Sequence, residues 1–96
     1  MNSQVALDNP EMQLPLIHLN GNCGEKLGEQ YWEALLILND LSTTFSEIEF
    51  HARDYHPLGA EAWLKARAQR ESMKANINSL RDYLSLHSQH CFETAK

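Results

Sequence analysis

The segment Phe50-His51-Ala52-Arg53-Asp54-Tyr55-His56-Pro57-Leu58-Gly59 gathers most of the side chains able to do chemistry. Arg53 offers a planar fork for phosphate or carboxylate, Tyr55 a stacking face with a hydroxyl, and His51 and His56 switchable donors. With Asp54, and with His18 and Asn20 nearer the N-terminus, they form a candidate set for a nucleotide or another small anion. A merely connecting loop would spend the same residues on structure. Arg53 and Asp54 would then cap helix ends, and Tyr55 would pack on the hairpin tip. Read as metal ligands, His51, Asp54 and His56 make three. Zinc takes four, and only His18 or another subunit could supply the last, so no metal is expected.

A second cluster, His87, His90 and Cys91, lies near the C-terminus. His87 and Cys91 are four apart, one above the other on a helix, and read as core. Glu47 and Glu49 are two apart, and on a helix such carboxylates do not face each other. The sequence holds no nucleophile elbow, phosphate-binding loop, dinucleotide fingerprint or Cys-x-x-Cys pair. Neither catalytic residues nor a cofactor are expected, and the chain reads as a non-enzyme.

Ninety-six residues form a single domain, residues 1–96, and the formal charge of −5 runs against a direct nucleic-acid binder. Residues 25–49 hold six acids and one base, and residues 60–96 hold six bases and four acids. The two segments should attract along their length. No apolar run spans a bilayer, the N-terminus lacks the features of a secretory signal, and the two cysteines follow no disulfide framework. These features predict a cytoplasmic protein with no membrane contact.

The elements that would carry these groups are helices. Residues 1–21 read as an extended arm, in which Leu14 to Leu19 lies over the helices or forms an edge strand. Asn22 with Glu25 reads as a capping box opening the first helix. Leu27, Tyr31, Ala34, Leu38, Leu41, Phe45, Ile48 and Ala52 recur at alternating steps of 4 and 3, a heptad seam. Trp63, Ala66, Arg70, Met73, Ile77, Leu80, Leu84, His87 and Cys91 repeat it. The spacing predicts an all-α, long antiparallel hairpin with helices over about 23–52 and 60–92. Facing residue numbers should sum to about 114, which sets Phe45 against Arg70, Leu41 against Met73 and Cys23 beside Cys91. The head of Arg70 is expected on Glu47 or Glu49.

Trp32, Leu35, Leu36 and Ile37 fall off the first seam, and Leu64, Ala68, Tyr83 and Leu86 off the second. A hairpin alone leaves them uncovered. Trp32, Leu35, Leu36 and Tyr83 are therefore the expected interface of a homo-oligomeric helical bundle.

The stretches Ile17-His18-Leu19-Asn20-Gly21 and Arg53-Asp54-Tyr55-His56-Pro57-Leu58-Gly59 resemble a small uncharacterised phage and prophage family. Its pattern is His-Leu-Asn-Gly-Thr-Ser before a first helix and Asn-Gly-Arg-Asp-Tyr-Tyr-Pro-Gln-Gly between two helices. The likeness covers residues 16 to about 90. Asn22-Cys23 replaces Thr-Ser, His56 the second Tyr and Leu58 the Gln. The resemblance implies phage or mobile-element ancestry and carries no activity with it. Three readings follow. In the first, a small helical oligomer sequesters a nucleotide signal of host defence. In the second, an acidic inhibitor or adaptor docks on a host protein. In the third, the chain is a structural component of a phage particle or replicon.

Overall fold

The computed structural model describes residues 12–17 and 24–94. Helix α1 spans Gly24–Ser46 and helix α2 spans Ala60–Glu93. Between them lie two single turns of 3-10 helix, Ala52–Asp54 and His56–Leu58. No strand occurs among the described residues. The helices pack antiparallel in a body of 61 × 32 × 15 Å. The smallest dimension is that of one helix layer, whereas a domain normally closes its core between two.

α2 matches its expected span. α1 stops six residues short of the expected end at Ala52. Its last turn tightens as the Glu47 N–H is shared between the Thr43 and Thr44 carbonyls and the Ile48 N–H reaches Phe45. Ser42, Thr43 and Thr44 are weak helix formers, and the Ser46 hydroxyl bonds the Thr43 carbonyl at 2.7 Å. The chain then leaves regular structure at Glu49 and Phe50, is extended at His51, and Phe50 packs on Trp63 of α2. Pro57 lies in the second 3-10 turn, and Gly59 enters α2 at φ 105°, a conformation that favours glycine.

The seam of α1 is shifted from the expected one. Tyr31, Leu38 and Phe45 face α2 as expected, but Leu35 and Ser42 turn inward where Ala34 and Leu41 were expected. Gly24 and Gly28 continue the row toward the N-terminus, again at steps of 4 and 3. Leu35 is 7% exposed and forms the core with Leu38 and Leu84, against which Tyr31 and Ile77 pack. It is therefore a core residue and leaves the expected interface set. Leu41 and Met73, expected to meet in the seam, are 53% and 47% exposed.

The register holds near the tip and drifts beyond it. Arg70 meets Phe45, and Tyr31 meets Tyr83 with ring centroids 6.3 Å apart. Ser88 donates to the Gly28 carbonyl at 3.1 Å. Gly28 is a close-approach site: a β-carbon there would stand 3.1 Å from the Phe92 ring and 3.2 Å from the Cys91 β-carbon. Cys91 thus lies against Gly28, more than a turn from the expected level of Cys23. Cys23, Asn22 and the expected capping box lie outside the described residues. Among the described residues no ion pair crosses between the helices. The split of charge does not express itself as paired side chains.

Residues 12–17 form no regular element, and Leu14, Pro15 and Ile17 are half-buried. His90 donates through Nε2 to the Pro15 carbonyl at 2.8 Å. That bond sets the segment on the end of α2 remote from the loop.

Candidate functional site

The tip is built on aromatic packing. Phe50, Tyr55 and Trp63 form a triangle with ring centroids 4.9 to 5.7 Å apart. The Arg70 guanidinium sits between two rings, 4.9 Å from Phe45 and 4.7 Å from Phe50, and donates to the Phe45 carbonyl at 3.4 Å. It reaches neither Glu47 nor Glu49, because two ring faces and a helix-terminal carbonyl offer it a more enclosed seat than a solvated carboxylate. Arg67 stands 5.9 Å over Trp63. α1 ends before Phe50, which packs on Trp63 from the non-helical segment that follows.

The predicted ligand residues lie on the same segment. Arg53, Asp54 and His56 are exposed. Among the described residues their side chains make no hydrogen bond or ion pair. The expected caps are not made: neither 3-10 turn nor α2 has a side-chain cap. His51 is exposed, with Nε2 3.8 Å from the Glu49 carboxylate. Tyr55 differs from the others, since it is half-buried in the triangle and serves as floor. His51, Arg53, Asp54 and His56 are thus all exposed on the segment whose Phe50 and Tyr55 pack into the aromatic triangle. His18 and Asn20 lie outside the described residues. No group of three or more His, Cys, Asp or Glu is arranged for a metal among the described residues.

The second cluster is structural. His87 is 2% exposed, donates through Nδ1 to the Tyr83 carbonyl at 2.9 Å and stacks on the Tyr83 ring at 4.0 Å. Tyr31 lies 5.0 Å away. Burial pushes the Tyr31 phenol up, helped by Tyr83, and burial alone pushes up the Cys91 thiol. Both groups stay protonated at neutral pH, which suits packing and makes Cys91 a poor nucleophile.

Of the predicted interface, Trp32, Leu36 and Tyr83 are 49%, 47% and 41% exposed. Sequence reasoning missed the aromatic floor. Its signal was the clustering of Phe45, Phe50, Tyr55 and Trp63 around one interruption in the apolar seam, Arg70. No described helix is long and apolar enough to cross a membrane. No protein family, curated protein or solved structure matches the chain.

Proposed function

We propose that this chain is a non-enzymatic binding protein whose recognition element is the hairpin tip. The ligand is a small anion of nucleotide type, and the working form is a homo-oligomeric helical bundle in the cytoplasm. The observation that carries this reading is the state of Arg53 and His56. The two lie in successive 3-10 turns on either side of Tyr55, exposed and free of side-chain partners among the described residues. An exposed guanidinium without a protein partner is available for a two-pronged, charge-assisted contact to phosphate. The motif likeness of residues 17–21 and 53–59 contributes phage or mobile-element ancestry alone; action against host defence by sequestering such a signal is the role we assign to an anion-binding oligomer of that ancestry.

Calorimetry against a panel of cyclic and linear nucleotides tests it. Binding at micromolar ligand, weakened at least tenfold by Arg53→Ala, is the expected result. No heat at millimolar ligand, or an Arg53→Ala variant that binds like the parent, overturns it.

A second reading is supported by Trp32 and Leu36, which are exposed on a helix carrying Glu25, Glu29 and Glu33. This acidic, apolar-centred stripe suits a basic groove on a host protein. A partner captured from host lysate and lost with both Trp32→Ala and Glu33→Lys would favour the adaptor over the tip. Capture unaffected by either variant would remove that reading.

A further inference from the structure

We draw no further inference here: the strongest candidate, the exposed apolar surface of the hairpin with Ile37 and Leu41 on α1 and Met73 and Leu80 on α2, carries nothing because no feature among the described residues shows what covers it.

Discussion

Arg70 shows how one residue can settle the path of a whole segment. Held between Phe45 and Phe50 and bonded to the Phe45 carbonyl, it joins the end of α1 to the returning chain. Arg70→Met keeps most of the stem's volume and loses the charge and the donor. It should lower stability by about 1–2 kcal/mol, read from urea unfolding followed by helical circular dichroism. A variant as stable as the parent would show that ring packing alone directs the segment. Tyr31 and Cys91 make a second prediction. Each is an acid whose folded pKa lies above its ordinary value, 10.0 for Tyr31 and 9.0 for Cys91. The native state keeps a proton that the unfolded chain releases, so stability from this source is full below pH 9 and is lost as pH rises through the folded values. The urea midpoint should fall above pH 9, and less steeply in Tyr31→Phe. A thiol reagent should reach Cys91 only on unfolding. The sequence identified Arg70 as the break in the seam. It could not choose between a carboxylate and two rings, because that depends on where α1 stops.

At the scale of the elements, the period was legible and its phase was only half so. Tyr31, Leu38 and Phe45 serve both the expected seam and the observed one. The two differ at Ala34 and Leu41 against Leu35 and Ser42, and apolar residues lie on both flanks, so spacing alone does not decide. Gly24 and Gly28 carried no apolar signal, yet both are buried, and a β-carbon at Gly28 would press on Cys91 and Phe92 of α2. The end of α1 was overestimated because Ile48 and Ala52 continue the period past the last helical residue. In the structure they belong to the return path, Ile48 53% exposed and Ala52 half-buried. Two glycines offer a contrast. Gly59→Ala meets open space but must adopt φ 105°, which should cost about 1–2 kcal/mol. Gly28→Ala has ordinary helical backbone and gains roughly 1 kcal/mol of helix propensity. It must also displace Phe92 and the Cys91 β-carbon. Phe92 is partly exposed and can swing away, whereas the Cys91 β-carbon is fixed to its helix. A net loss of about 1 kcal/mol is expected. Thermal melts of both variants check these signs, and a Gly28→Ala protein more stable than the parent would mean that the helices separate easily.

The whole molecule is a single layer with a narrow core of Leu35, Leu38 and Leu84. A bundle closed by a second copy should have a melting temperature that rises with protein concentration, because association draws the equilibrium toward the folded state. Melts across a hundredfold range of concentration check this, and a constant midpoint would indicate a monomer that is stable alone. The contacts that hold this layer are also graded by the length of chain each encloses. Arg70 and Phe45 are 25 residues apart, Ser88 and Gly28 are 60, and His90 and Pro15 are 75. Each doubling of an enclosed loop adds roughly 0.6 kcal/mol of closure entropy. From 25 to 75 residues this amounts to about 1 kcal/mol, so closure entropy by itself favours the tip contact over the N-terminal strap contact only slightly. Burial grades the molecule in the opposite sense: the two 3-10 turns of the tip bury no residue, whereas His87, Ser88 and Cys91 are buried near the strap, so amide exchange is expected to be fastest at the tip.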